Sequence, residues 1–397
     1  PAKENAISSF TIFHNYIKVT APYQAGMMDL KGPGGSLVGF PLISFDEDSF
    51  TQTVASKGSM TAIKFTNATS SAGLDIVNST RKTNGSQNKA YSFVIVSDYD
   101  GDGDVDLYVS ITDPGTSASR HYLLSNELGR FRDVTSRAGI KHTGSEASAI
   151  FADYDNDGFQ DLLIVRDEGN IMYRNNGKGG FENTTEKTRV GDKPADRSKG
   201  NIPLFVDLDH DGDLDLFVGR STANRVYRNN ADGTFLEQAA AMGFTGTNEN
   251  TRGAVFGDFD EDGDIDLFAV NENAGNRLYL NQRQGKFRES AAQSGLQSDG
   301  GSTSVTAGDF DNDGYLDLFV TSAKPGNHVL YRNLRNGTFE KDIRAKNLFR
   351  DLEKVIAYDA RFIDFDNDGM LDLFVAGESA DKDGRGVFLF RNEGNGI

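Results

Sequence analysis

Apolar residues in this chain come in short runs, none reaching six, separated by polar stretches of regular length. The segment from Ala254 sets the pattern. Ala254-Val255-Phe256 is apolar, residues 258–266 are acidic, and Leu267-Phe268-Ala269-Val270 is apolar again. Arg277-Leu278-Tyr279-Leu280-Asn281 follows, then a glycine-containing turn and Lys286-Phe287-Arg288-Glu289. Runs this short, punctuated by Gly and Asn, predict β-strands rather than helices. The third of these strands recurs as Ile171-Met172-Tyr173-Arg174-Asn175, Arg225-Val226-Tyr227-Arg228-Asn229, Val329-Leu330-Tyr331-Arg332-Asn333 and Phe388-Leu389-Phe390-Arg391-Asn392. The fourth recurs at Phe131, Phe181, Phe235 and Phe339, and commonly ends in a corner such as Ala138-Gly139-Ile140 or Ser294-Gly295-Leu296. A small four-stranded unit cannot bury both its faces alone, whereas stacked units bury each other. The pattern predicts an all-β propeller.

The acidic stretch between the first and second strands carries the candidate chemistry. In Asp258-Phe259-Asp260-Glu261-Asp262-Gly263-Asp264-Ile265-Asp266, carboxylates stand at positions 1, 3, 5 and 9, with Gly at 6. Glycine permits the sharp turn, and carboxylates brought this close repel unless a cation lies between them. An all-oxygen set with no Cys or His selects a hard ion, Ca²⁺. The set recurs as Asp98, Asp100, Asp102 and Asp106; Asp153, Asp155, Asp157 and Asp161; and Asp207, Asp209, Asp211 and Asp215. After the loop quoted come Asp309, Asp311, Asp313 and Asp317, then Asp364, Asp366, Asp368 and Asp372. Position 7 would add a backbone carbonyl, from Asp104, Phe159, Asp213, Asp264, Tyr315 or Met370. The first aspartates lie 55, 54, 51, 51 and 55 residues apart. One such loop would pass for a solvated acidic turn; six in register, each followed by an apolar strand, predict six calcium sites. An EF-hand is excluded, because position 12 is Val109, Ile164, Val218, Ala269, Val320 or Val375, where that motif requires a bidentate glutamate.

Charge and composition agree with this reading. The chain of 397 residues has 41 basic and 59 acidic residues, a net charge of −18, and 27 of its aspartates lie in the six loops. Six doubly charged ions would bring the charge to about −6. Without a basic patch, nucleic acid is not an expected partner. There is no cysteine, hence no disulfide framework, and no apolar run long enough to span a membrane. Weak multi-aspartate loops fill where calcium is abundant, roughly 10⁻⁴–10⁻³ M outside cells, so an extracellular or cell-surface location is expected. The first residue, Pro1 in place of Met, reads as a processed N-terminus.

The repeat count extends to seven. Ser44-Phe45-Asp46-Glu47-Asp48-Ser49-Phe50-Thr51-Gln52-Thr53-Val54-Ala55 aligns without gaps on residues 258–269, with Ser44, Ser49 and Gln52 at positions 1, 6 and 9. Residues 21–80 therefore read as a degenerate, metal-free blade. Its third strand is expected at Ala62-Ile63-Lys64-Phe65-Thr66-Asn67 and its fourth near residues 75–80. Residues 9–20, within an N-terminal segment of residues 1–20, are expected to supply the last blade's missing fourth strand. That strand would close a seven-bladed ring over residues 21–397, or exchange with a neighbouring molecule.

The Asp-x-Asp-x-Asp-Gly-x-x-Asp loops followed by Leu-Phe-Val and Tyr-Arg-Asn strands resemble FG-GAP/VCBS-type repeats, like those of the integrin α-subunit head and of secreted bacterial proteins. The resemblance spans residues 9–397 and implies a seven-bladed propeller with calcium in its blade loops. It also implies adhesion or ligand binding, with lectins and polysaccharide lyases as the alternative. Taken with the residues, the expected function is a non-enzymatic adhesion or structural module, with a protein or glycan ligand and assembly into a head-to-tail filament as possible partnerships. His14, His121, His142, His210 and His328 show no ligand spacing, and His210, at loop position 4, reads as solvated. Arg174, Arg228, Arg332 and Arg391 recur in successive repeats, which favours packing and turn formation over catalysis. The insertions at 112–120, 191–199 and 377–386 are candidates for variable surface.

Overall fold

The computed structural model describes residues 67–78, 92–112, 119–166, 168–191, 200–283, 285–344, 349–379 and 385–394. Among them six antiparallel sheets form, each a meander in chain order. The first sheet holds β1 (Ser92–Ser97), β2 (Asp106–Thr112), β3 (Ser119–Glu127) and β4 (Arg130–Asp133). The second holds β5 (Glu146–Ala152), β6 (Asp161–Arg166), β7 (Ile171–Asn175) and β8 (Phe181–Asn183). β9 (Gly200–Val206), β10 (Asp215–Arg220), β11 (Arg225–Asn229) and β12 (Phe235–Glu237) make the third. β13 (Thr251–Gly257), β14 (Asp266–Asn271), β15 (Arg277–Asn281) and β16 (Phe287–Glu289) make the fourth. The fifth is β17 (Ser302–Gly308), β18 (Asp317–Ser322), β19 (Val329–Asn333) and β20 (Phe339–Lys341). The sixth has three strands, β21 (Val355–Ile363), β22 (Asp372–Ser379) and β23 (Arg385–Phe390).

Successive sheets are neighbours through their first strands, β1 beside β5, then β9, β13, β17 and β21 in turn. The second strand of each sheet lies deepest. In β10, β14 and β18 every residue is buried, so both faces of these strands pack and they read as continuous apolar runs. Side chains from adjacent blades interleave there: Phe217, Phe256, Leu267 and Tyr279 share one cluster, and Phe268, Leu318 and Tyr331 another.

The expectation of seven blades is corrected to six among the described residues. Residues 1–66 lie outside the described residues, including the strands expected at 9–20, 44–55 and 62–66. The fourth strand expected near residues 75–80 is a short helix instead, α1 (Asp75–Asn78), with the rest of that span outside the described residues. The reason is a displaced corner. Ala72-Gly73-Leu74 closes the same turn as Ala138-Gly139-Ile140, with Leu74 N–H on Thr69 O as Ile140 N–H is on Thr135 O. The corner thus precedes residue 75, and the described residues that follow it directly, 75–78, are helical.

These corners tie blade to blade. Phe131 N–H donates to Ala72 O, Phe181 N–H to Ala138 O and Phe339 N–H to Ser294 O, so a corner grips the fourth strand of the next sheet. The corner glycines have positive φ, and a Cβ on Gly243 (φ +104°) would stand 2.2 Å from Phe287 O. Gly129 has φ +84° but open space around it. Gly129→Ala is expected to cost about 1 kcal/mol, from backbone strain alone, and Gly243→Ala about 2–4 kcal/mol, because the Phe287 backbone must also give way. Urea melts of the two variants check this; equal losses would show that the corner does not hold the blades together.

Candidate metal loops

Each acidic loop joins the first strand of its sheet to the second, and its carboxylates are held by the backbone before any ion is considered. The position-1 carboxylate accepts the N–H groups of positions 5 and 6. Asp153 takes Asp157 N–H at 3.0 Å and Gly158 N–H at 2.8 Å, and Asp309 takes Asp313 and Gly314 at 2.9 Å each. The position-5 carboxylate accepts the N–H of position 7, as Asp262 does from Asp264 and Asp368 from Met370. Positions 4 and 6 both take positive φ, Asn156 at 56° and Gly158 at 90° in the second loop. This explains why position 4 is Gly, Asn, His or Glu but never a β-branched residue. The coil turns the carboxylates inward: ligand oxygens of Asp98, Asp100 and Asp106 lie within 4.8 Å of one another, as do those of Asp153, Asp155 and Asp161, of Asp207, Asp209 and Asp215, and of Asp258, Asp260 and Asp262.

Position 9 is the anchor. Asp106, Asp161, Asp215, Asp266, Asp317 and Asp372 are at most 1 % exposed. One oxygen of each accepts the N–H of position 2, such as Phe259 on Asp266 at 3.0 Å, and the other accepts the N–H of the asparagine that closes the third strand. Burial pushes Asp161, Asp215, Asp266 and Asp317 up to about 8 and Asp106 to about 7, overriding these stabilising N–H bonds. Asp207 and Asp258, at position 1, are raised by burial to about 6. Such shifts reflect first the cost of burying a charge, with repulsion between neighbouring carboxylates adding to it.

One atom is left over in every loop. Oδ1 of the position-3 aspartate (Asp100, Asp155, Asp209, Asp260, Asp311 and Asp366) is buried without a hydrogen-bond donor. The other oxygen of that carboxylate is often met by arginine. Arg174 spans Asp155 and Asp157 at 2.5 Å each, Arg391 reaches Asp366 at 2.8 Å and Asp368 at 3.3 Å, and Arg228 bonds Asp209 and Asp211. The recurrent arginines of the third strand thus neutralise the outer rim of the loops, beyond the packing role read from the sequence. Arg332 differs, pairing with Glu340. His210 is not simply solvated: its Nε2 lies 3.3 Å from Asp264 Oδ1 in the next loop. The carbonyl proposed at position 7 belongs to the residue whose N–H caps position 5, so it sits on the same coil as the carboxylates.

The asparagine at the end of the third strand does work that sequence reading missed. Asn281 Nδ2 donates to Ile265 O of its own loop at 3.1 Å and to Leu208 O of the preceding loop at 3.0 Å. Asn175, Asn229, Asn333 and Asn392 bridge neighbouring loops in the same way. The recurrence was the available signal; the partner, 73 to 82 residues away, was not.

A family model described as FG-GAP-like repeat matches residues 98–164, 153–218, 207–269, 258–320 and 309–375. Cartilage acidic protein 1 from Homo sapiens is 28% identical over 324 residues, 72% of this chain and 47% of the relative, and that from Mus musculus 28% over 323 residues, 72% and 48%. The chain therefore spans about half the length of the curated relatives it matches. Among solved structures, an Agrocybe aegerita lectin described as recognising non-reducing terminal N-acetylglucosamine aligns with TM-score 0.47 at 17% identity, over 77% of this chain and 81% of the lectin. The Dos1 propeller aligns with TM-score 0.39 at 8% identity, over 68% and 62%. At these scores neither carries an argument here. No helix among the described residues is long and apolar enough to cross a membrane.

Two outcomes follow from the loop geometry. Asn281→Ala, which strips two buried carbonyls of their donor, is expected to cost about 2–4 kcal/mol, and Asn126→Ala, whose amide among the described residues donates only to Val105 O of its own loop, about 1 kcal/mol. Denaturant melts distinguish the two. The raised aspartates bind protons more tightly in the folded chain than in the unfolded one. In chelator, stability should therefore be greatest near pH 4 on their account and fall as pH rises through about 8. A melting temperature in chelator that rises from pH 5 to pH 8 would contradict this.

Proposed function

The chain belongs to the FG-GAP-like repeat family, and from that premise we propose that it is a non-enzymatic, calcium-stabilised extracellular propeller acting as an adhesion or structural module. The observation that carries the calcium reading is the repeated orphan: the same buried carboxylate oxygen lacks a donor in all six loops. An oxygen buried without a donor is costly, and a cation in the coil supplies what is missing. The donor set fits Ca²⁺, with carboxylates from positions 1, 3, 5 and 9 and a position-7 carbonyl, all hard oxygen ligands. In the second, third and sixth loops arginine occupies Oδ2 of position 3 and leaves Oδ1 for the ion. Calcium at each coil would clamp the hairpin between first and second strands, and the asparagine bridges would pass that rigidity to the adjacent blade.

Two observations support an extracellular setting. The curated relatives are named for cartilage, and loops of this kind saturate at roughly 10⁻⁴–10⁻³ M calcium. The non-enzymatic reading rests on the use of the carboxylates: in the loops they are committed to the backbone and the candidate ion, leaving no free acid and base pair facing each other.

A second reading, self-assembly by strand addition, draws on the outer strand of the sixth sheet. Val387 and Leu389 on β23 are 68% and 48% exposed, and Phe374 beside them on β22 is 37% exposed. An exposed apolar edge of this kind is a template for a strand from another molecule. The donor expected from the sequence, residues 9–20, lies outside the described residues.

Calorimetric titration of chelated protein should saturate at about six Ca²⁺ per chain. Saturation at 100 times the dissociation constant should raise stability by about 2.7 kcal/mol for a single site. Asp260→Ala should remove one equivalent and leave the rest. Absence of binding at millimolar calcium would sink the proposal. Light scattering of the calcium-loaded protein addresses assembly: a mass of 43.2 kDa removes the second reading, and larger particles that dissolve when residues 1–20 are deleted support it.

A further inference from the structure

A different ligand set lies at the opposite end of the strands from the acidic loops, between the first and second sheets. Glu146 heads β5, whose other end runs into the loop at Asp153, so the two places are about 20 Å apart along the strand. His142, in the connection before β5, brings Nε2 to 2.6 Å from Glu146 Oε1. His121, on β3 of the neighbouring sheet, brings Nδ1 to 3.0 Å from the same oxygen. The two imidazoles stack at 3.9 Å with an angle of 12°. The side chains of Glu146, His142 and His121 are 0%, 3% and 12% exposed. Three ligand atoms from two sheets converge on one point.

The hydrogen bonds around this point are those of a metal centre's outer shell. Tyr108 O–H donates to Glu146 Oε2 at 3.0 Å, which fixes the carboxylate and leaves Oε1 toward the histidines. Tyr173 O–H donates to Lys141 O at 2.9 Å and accepts Lys141 N–H at 3.1 Å. With its only proton given to that carbonyl, Tyr173 can receive only an N–H from His142 Nδ1, 3.3 Å away. In the neutral ring with its proton on Nδ1, Nε2 aims a lone pair at Glu146 Oε1, and the 2.6 Å contact then calls for a cation between them, either a second ring proton or a metal ion. His121 Nδ1 is buried and, despite its 3.0 Å approach to Glu146, makes no aligned hydrogen bond. Arg166, opposite Glu146 in the strand register, directs its guanidinium to the carbonyls of Thr143 and Gly169 and acts on the cluster through its charge alone.

We propose that His121, His142 and Glu146 bind one divalent transition-metal ion of the zinc class, separate in place and chemistry from the acidic loops. Two imidazole nitrogens and one carboxylate oxygen suit Zn²⁺, Co²⁺ or Ni²⁺ and are a poor set for Ca²⁺. Zinc bonds of about 2.0–2.2 Å hold ligand atoms roughly 3.3 Å apart, so the rings need withdraw only by tenths of an ångström. The partly exposed edge of His121 gives the ion its entry and leaves room for a water as fourth ligand. Because the ligands come from both sheets, a bound ion pins the first blade to the second at the end that the acidic loops do not reach.

Cobalt(II) titrated into the full chain, with calcium in excess, tests the site. One equivalent should bind with the visible d–d bands of a low-coordinate centre, and one equivalent of zinc should displace it. His121→Gln and His142→Gln should each weaken binding by about 100-fold or more, and Tyr173→Phe by about 10–100-fold, with calcium stoichiometry unchanged. No saturable cobalt binding, or binding that survives both histidine variants, overturns the proposal. Should those variants not fold, the ring-nitrogen spectrum of the unmodified protein decides. Zinc must move two of its five histidines to metal-bound positions, and a spectrum that does not change overturns the site.

Discussion

The structure depends on a buried carboxylate at the start of each second strand. Asp266 and its five equivalents are sealed from solvent at the junction of the loop, the second strand and the third strand. Burying a charge is unfavourable unless hydrogen bonds and a counter-charge compensate. Two backbone N–H groups supply part of that compensation, and the coil that they organise gathers further carboxylates around the same point. The local fold therefore gathers, as it forms, the carboxylates that the proposed calcium ion would bridge, and such an ion would couple its loop to the strength of the blade.

From that anchor the blades are joined in series. The asparagine whose N–H holds the position-9 carboxylate also uses its side chain to bind the preceding loop, so one residue reads the geometry of two loops. The corner glycine makes the complementary link at the edge, admitting the next sheet's phenylalanine carbonyl where a side chain would collide. Apolar packing between sheets is large but non-directional; these polar links fix the register in which one sheet meets the next.

Much of this was legible because it is local and repeated. Six loops at near-constant spacing, short apolar strands and the recurrent Tyr-Arg-Asn endings carry the blade architecture on their face. Distance in the chain hid the rest. Asn281 and Leu208 are 73 residues apart, and His121 and Glu146 come from different sheets, so neither pairing leaves a spacing to recognise. The miscount of blades has another cause. A gapless match at residues 44–55 kept Phe45, Val54 and Ala55 and the aspartates Asp46 and Asp48 but had lost the aspartates of positions 1 and 9 and the glycine of position 6. Without the carboxylates that organise the coil, apolar alternation shows that a segment is able to form strands, not that it forms another blade. The displaced corner at Ala72-Gly73-Leu74 was itself legible as an Ala-Gly-Leu motif, and it argued against a strand at residues 75–80.

The two kinds of ligand set sit at opposite ends of the strands and differ in what they constrain. An acidic loop draws every ligand from one hairpin, so an ion there stiffens a blade, and neighbours feel it only through the asparagine bridges. The histidine and glutamate cluster draws its ligands from two sheets, so an ion there acts on the joint itself. Hard oxygen ligands suit the first task, because six loose sites can fill and empty with ambient calcium without altering the order of the blades. Imidazole suits the second, because its directional nitrogens and stacked rings define a single geometry between two surfaces. With both proposed kinds of ion bound, a propeller arranged this way would have its blades stiffened at one end and one of its seams fastened at the other.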